Sequence, residues 1–176
     1  HLRKTQRDAV ILHLANSGGA LHHPASRHDL VRAGLSLYGH DPARLQPDLR
    51  PAMEVRARVT LVRHVEAGTR LGYGGRRQMS APGQVAVVPM GYADGYDWRL
   101  SDRATALLRG RRVEVLGAVS MDMTLIDASA TGATVGDEVV LLGRQGGEEI
   151  TVQELAERAG TIPYEVLTNI NARVPR

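Results

Sequence analysis

Two glycine-rich runs hold three of the six aromatic residues in this sequence: Gly72-Tyr73-Gly74-Gly75 and Gly91-Tyr92-Ala93-Asp94-Gly95-Tyr96. Glycines beside a tyrosine let the backbone approach another surface and leave the phenol projecting into space, where it can take or give a proton. A hairpin tip with a rim aromatic fits the same pattern, and Asp94 reads equally as a turn aspartate. A third run, Asn16-Ser17-Gly18-Gly19, follows a short apolar stretch and can present backbone amides and a hydroxyl to an anion, as many turns do.

Residue types exclude other chemistries. The absence of cysteine removes thiolate metal sites, disulfides and cysteine nucleophiles together. His22, His23, His28 and His40 lack the i, i+4 spacing of a helical metal pair, so they read as surface histidines and no metal is expected. Neither a G-x-S-x-G elbow nor a phosphate-binding G-x-x-x-x-G-K-[ST] loop occurs. Basic residues outnumber acidic ones by 22 to 19, and Lys4 is the only lysine. The arginines are spread out, and the aromatics amount to Tyr38, Tyr73, Tyr92, Tyr96, Tyr164 and Trp98, a poor footprint for nucleic acid. No run approaches the roughly 18 apolar residues of a membrane span. His1 to Arg7 is basic without the apolar core of a signal peptide, so a soluble, cytoplasmic protein is expected.

The elements that must position these residues fall into two patterns. Up to about residue 45, Val10 to Leu14 reads as a strand and Asn16 to Gly19 as a turn. Ser26 with Asp29 reads as a capping box opening a helix over roughly Arg27 to Ala33, closed by Gly34, and Leu35 to Tyr38 reads as another strand. One such α/β unit cannot bury both faces of its strands alone. Pro42, Gln46, Pro47, Asp48 and Pro51 make a linker. Beyond it Val55, Ala57, Val59 and Leu61 alternate with Arg56, Arg58 and Thr60, the period of a strand with one wet face. Short strands at Gln84 to Val88, Thr105 to Leu108, Arg112 to Leu116, Met123 to Asp127 and Glu138 to Leu142, separated by glycine turns, predict an antiparallel sandwich or barrel. Thr151 with Glu154 then opens a helix closed by Gly160, and Pro163 starts a last helix through Thr168.

Several motifs occur in order: His13-Leu14-Ala15-Asn16-Ser17-Gly18-Gly19, Val31-Arg32-Ala33-Gly34-Leu35-Ser36-Leu37-Tyr38-Gly39, Gly72-Tyr73-Gly74, Val88-Pro89-Met90-Gly91-Tyr92-Ala93-Asp94-Gly95, Ser120-Met121-Asp122-Met123 and Gly160-Thr161-Ile162-Pro163-Tyr164-Glu165. Together they resemble the C-terminal half of alanine racemase. That resemblance implies a mainly β C-terminal domain over 46–176, with two short helices, preceded over 1–45 by the last strands of a (β/α)8 barrel that binds pyridoxal 5'-phosphate. It also implies a head-to-tail homodimer in the bacterial cytoplasm that interconverts L- and D-alanine for peptidoglycan precursors.

By the same resemblance, Ser17, the amides of Gly34 and Leu35, and the Tyr164 phenol hold the cofactor phosphate, while Arg32 faces the pyridine nitrogen. Tyr73 is the base that reaches into the other subunit's site. Tyr92 lines the substrate's path, and Met121 offers a backbone amide to the substrate carboxylate. Ser120 stands where many relatives have cysteine and Met123 where many have glutamine, departures that bear on substrate range. No residue matches the family's barrel histidine beside the tyrosine, and Lys4 does not match the Schiff-base lysine, so this chain alone is expected to be inactive. A catalytically silent β module for dimerisation or binding, and a racemase of serine or of broad specificity, stay open as alternatives. An upstream segment with the lysine motif separates the enzyme from the silent module.

Overall fold

The computed structural model describes residues 10–41, 43, 45 and 48–176. The basic start with Lys4, and Pro42, Gln46 and Pro47 of the proline-rich stretch, lie outside the described residues. The chain divides into two compact units, His1–Ala52 and Met53–Arg176.

In the first unit the local reading is corrected at nearly every element. The helix is α1, Ser17–His22, where a turn was expected, and Asn16 caps it by accepting from the Gly19 N–H. No helix spans Arg27 to Ala33, because both capping residues are used elsewhere. Ser26 Oγ donates to the carbonyl of His23 at 2.7 Å, and Asp29 Oδ2 accepts from the Leu12 N–H at 2.9 Å. Residues 29–32 instead run extended beside 12–16: Asp29 N–H bonds Leu12 O, Arg32 N–H bonds Ala15 O, and Asn16 and Arg32 form a parallel bridge. Val10 to Leu14 forms no strand ladder, and Leu35–Tyr38 is a 3₁₀ turn rather than a strand. The unit therefore keeps the parallel α/β topology through one bridge around α1. Val10, Ile11, Leu12, Leu14, Leu30, Val31 and Leu37 are exposed.

The second unit is antiparallel β, as the alternation and glycine turns predict. One sheet has the order β1 (Val55–Arg58), β9 (Glu138–Gln145), β6 (Thr105–Leu108), β7 (Arg111–Glu114), with β10 (Glu148–Ile150) also on β9. A second has the order β2 (Leu61–Val65), β5 (Gly83–Val88), β8 (Thr124–Asp127), and β3 (Arg70–Leu71) pairs with β4 (Arg77–Gln78) as a hairpin. The two sheets are joined at two corners. Val59 N–H bonds Asp137 O while Thr60 N–H bonds Val87 O, and on the far side Val115 bridges Ile126. The wet-face alternation holds from Val55 to Val59 and fails at Leu61, which is exposed because the chain has crossed to the other sheet there.

In β9 the residues from Val139 to Gly143 are all buried, so alternation is lost. Helices cover its outer face: α2 (Val152–Ala159) and α3 (Pro163–Asn169) bring Leu155, Ala159 and Val166 around one small enclosed cavity with Leu141 and Leu142. Val152, Leu155, Ala156 and Ala159 are the buried stripe of α2, at the spacing of one helical face. Thr151 Oγ1 accepts the Glu154 N–H, but the Glu154 carboxylate does not close the box. It pairs with Arg112 of β7 at 2.8 Å and with Arg158 at 3.0 Å.

Burial would raise the Glu154 carboxyl, yet Arg112 and Arg158 outweigh it and hold it below its ordinary value of 4.5. A depressed folded-state value means stabilisation that is complete above the unfolded value and disappears as pH falls through the folded one. Glu154→Gln is expected to cost about 1–2 kcal/mol at neutral pH. The gap to the parent protein should close as pH drops below 4.5, which urea midpoints measured across that range will read.

Candidate active site

Four of the candidate residues belong to the first unit, where the chain folds them around one hydroxyl. Ser17, at the start of α1, is buried. Its Oγ accepts from the Gly34 N–H at 2.9 Å and the Ser36 N–H at 3.3 Å, with the Ser36 hydroxyl also at 3.3 Å. The Leu35 N–H finds no acceptor among the described residues. Two hydroxyls and the Gly34 and Ser36 amides thus converge, a donor set suited to phosphate oxygens. Ser36 is the member that sequence reasoning missed.

Arg32 sits on the parallel bridge beside this cluster. Its Nη1 lies 2.7 Å from His13 Nδ1, and its nitrogens approach the carbonyls of His13 and Leu14 at 3.4 and 3.5 Å. No helix ends at Arg32, so its charge has no helix C-terminus to complement. His22 Nε2 is 2.8 Å from the nearly buried Asp41 carboxylate, so this histidine is not a free surface residue. Among the described residues no group of three His, Asp or Glu side chains is placed to hold a metal.

The remaining candidates belong to the second unit. Tyr73 stands at the tip of the β3–β4 hairpin with φ of +68° and +71° at Gly72 and Gly74. The hairpin is held from below: Leu71 is buried, Arg77 pairs with Glu114 at 2.7 Å, and the Arg76 guanidinium lies 5.5 Å above the Trp98 ring. Tyr73 itself is 75% exposed, and its phenol makes no hydrogen bond among the described residues.

Tyr92 and Met121 are brought together by strand register. Val88, the end of β5, pairs with Thr124, the start of β8, so the loops that follow one and precede the other share an edge. Buried Thr124 Oγ1 ties that edge by donating to Met90 O at 2.7 Å. Tyr92 N–H bonds Ser120 O and Ala93 N–H bonds Met121 O, both at 3.0 Å. Gly91 lies so close that a Cβ there would be 2.3 Å from each of those carbonyl oxygens. The Met121 carbonyl is therefore occupied, whereas its N–H finds no acceptor among the described residues. Asp94 accepts the Gly91 N–H at 2.9 Å, a turn aspartate in geometry.

Next to Tyr92, an open cavity of about 390 Å³ is lined by Tyr92, Gly95, Asp97, Trp98, Asn169 and Asn171. Tyr164, half exposed, lies in the first turn of α3 after Pro163. Its neighbour Glu165 pairs with Arg99 at 2.8 Å, and Arg99 also holds Asp97, pulling that carboxyl below its ordinary value. Trp98 was legible only as a lone tryptophan near the second glycine-tyrosine run. Asn171 and Arg173, which bond Ala93 O and Asp122, carried no local signal at all.

The profile of the alanine racemase C-terminal domain matches residues 52–176, and that of the alanine racemase N-terminal domain matches residues 1–42. The chain is 47% identical over 172 residues to an alanine racemase of Sorangium cellulosum, covering 94% of this chain and 45% of that protein. It is 47% identical over 171 residues to one of Symbiobacterium thermophilum, covering 95% and 45%. Among solved structures, alanine racemase from E. faecalis matches with a TM-score of 0.86 at 38% identity, over 93% of this chain and 45% of that one. The Bacillus anthracis alanine racemase with bound L-Ala-P matches at 0.87 and 35%, over 92% and 43%. The Bartonella henselae alanine racemase with covalently bound pyridoxal phosphate matches at 0.82 and 33%, over 90% and 44%. The chain spans about half the length of the curated relatives it matches.

Gly91→Ala should force the Tyr92 turn away from Ser120 and Met121, at a cost of about 3 kcal/mol or more. Gly147, which has nothing within 4 Å of a built Cβ, is the control: Gly147→Ala should stay within about 0.5 kcal/mol of the parent. Equilibrium unfolding of the two variants checks the contrast.

Proposed function

The chain belongs to the alanine racemase family, and we propose that it is the C-terminal part of a pyridoxal 5'-phosphate-dependent enzyme that interconverts L- and D-alanine. The observation that carries this reading is the Tyr73 phenol, held on a braced hairpin yet three-quarters exposed, available to a substrate presented from outside its own unit. The exposed apolar residues of the first unit support its assignment to the end of a barrel whose other strands would cover them.

Bound pyridoxal phosphate supplies an electron-withdrawing ring that makes the substrate Cα proton acidic. The hydroxyls of Ser17 and Ser36 and the amides of Gly34 and Leu35 would hold its phosphate, with the Tyr164 phenol as a further donor. The donor cluster around Ser17 Oγ fits that role. Arg32 would face the pyridine nitrogen. A guanidinium stays protonated, so it can only donate, and a ring nitrogen bonded to it remains an uncharged acceptor. Arg32 thereby limits how far the ring withdraws electrons, which slows racemisation but suppresses transamination.

Racemisation removes a proton from one face of Cα and returns one to the other, so two groups must flank it. Tyr73 serves one face, in the partner's site of a head-to-tail dimer; the family's lysine serves the other. A tyrosine titrates at about 10 in water, so its surroundings in the assembled site must favour the phenolate. The unpartnered Met121 N–H orients the substrate carboxylate, and Tyr92 lines the path to it. Lys4, the only lysine here, does not match the family's lysine motif, so these 176 residues alone should not racemise alanine. By its family we assign the enzyme to the bacterial cytoplasm, supplying D-alanine for cell-wall precursors.

Mixing tests the proposal. Tyr73→Phe subunits and subunits lacking the lysine should each be inactive alone, with losses of roughly a hundred- to ten-thousandfold. Together they should regain activity, because one site of a mixed dimer receives both intact groups. No recovery despite proven subunit exchange would place Tyr73 in its own subunit's site. Separately, Arg32→Glu should raise transamination relative to racemisation, read as pyruvate formed per turnover; an unchanged ratio would remove Arg32 from the pyridine nitrogen.

A further inference from the structure

Beyond α3 the chain turns back onto the Tyr92–Met121 edge. Asn171 Nδ2 donates to Ala93 O at 2.7 Å, and Asn171 Oδ1 accepts the Arg173 N–H at 2.9 Å, which fixes where the Arg173 side chain starts. Its guanidinium then meets two carboxylates from different loops: Nη2 donates to Asp122 Oδ1 at 2.6 Å, and Nε lies 3.5 Å from Asp94 Oδ1. The other Asp94 oxygen already holds the Gly91 N–H. Asp122 follows Met121 directly, and Asp94 sits two residues after Tyr92.

We propose that Arg173 is a positioning residue for substrate binding: it offsets one of the two charges of the Asp94–Asp122 pair beside the Met121 amide, so that an anionic carboxylate is repelled less there. This rests on the reading of Met121 N–H as the carboxylate donor. A half-exposed ion pair adds little to stability, which is why the consequence of Arg173 falls on binding rather than on folding. Without it two negative charges flank the amide that must accept a third. Asp94 is held in place by the Gly91 N–H it accepts, and Asp122 is fixed in sequence to Met121.

The test uses the whole protein with Arg173→Met, Arg173→Lys and Arg173→Met/Asp122→Asn. Arg173→Met should raise KM for alanine about tenfold, the size of an uncompensated charge several ångströms away in partly solvated surroundings, with kcat within about twofold. Arg173→Lys, which keeps the charge, and the added Asp122→Asn, which removes one of the two repelling carboxylates, should each bring KM back towards the parent value. Propionate titrated into each variant, followed by the Met121 amide resonance, should give dissociation constants in the same order. An unchanged KM and propionate affinity in Arg173→Met would overturn the proposal. So would a parallel fall of kcat and melting temperature that Asp122→Asn does not reverse. If the parent protein failed to racemise alanine, the proposed activity would fall, and the propionate series would still decide the role of Arg173.

Discussion

Gly91 packs its backbone against the carbonyls of Ser120 and Met121 at a distance no side chain fits, and the candidate edge of the second unit depends on that contact. It lets the amides of Tyr92 and Ala93 reach those two carbonyls, which commits the Met121 peptide in one direction and leaves its N–H outward. The β5–β8 register brings the two loops to the same end of the sheet, and buried Thr124 locks that end through Met90 O. Peptide geometry therefore builds a fixed donor from backbone alone, with no side-chain entropy to lose when an anion arrives.

The same economy marks the first unit. There a buried serine hydroxyl gathers the Gly34 and Ser36 amides, so main-chain donors stand beside two short hydroxyl side chains. In the proposed enzyme the two units divide the work by chemistry. The first offers phosphate donors and a cation for the cofactor ring, and the second offers a phenol, an amide and an aromatic wall to the substrate. A racemase needs a proton handled on each face of one carbon; in the proposed enzyme Tyr73 would serve one face and the family's lysine the other.

Much of the second unit was legible because local and long-range preferences agree there. The strands around Thr105 and Glu138, the glycine turns at Gly110 and Gly146, and the Thr151, Gly160 and Pro163 signals of the two late helices all appear where their residue types point. The first unit was misread where side chains bond backbone groups other than those of the expected helix. Ser26 and Asp29 have the spacing of a capping box, yet their oxygens bond His23 and the Leu12 amide, so the helix forms instead at Ser17–His22, across two glycines of poor helix propensity. The glycine-flanked Tyr73 and Tyr92 were visible as oddities; the contact that gives Gly91 its purpose was not, because it joins segments some thirty residues apart. Arg173 is invisible to any local pattern, since its two partners lie far upstream on separate loops.

In the proposed enzyme the edge presented by this chain handles the proton on one face of the substrate only. Solvent deuterium incorporation at Cα, measured separately from L- and D-alanine with Tyr73→Phe in the whole protein, tests it most directly. Exchange from one enantiomer, L-alanine by analogy with the family, should all but cease while exchange from the other continues, because the group on the opposite face is untouched. Equal loss from both enantiomers, or none from either, would contradict the account.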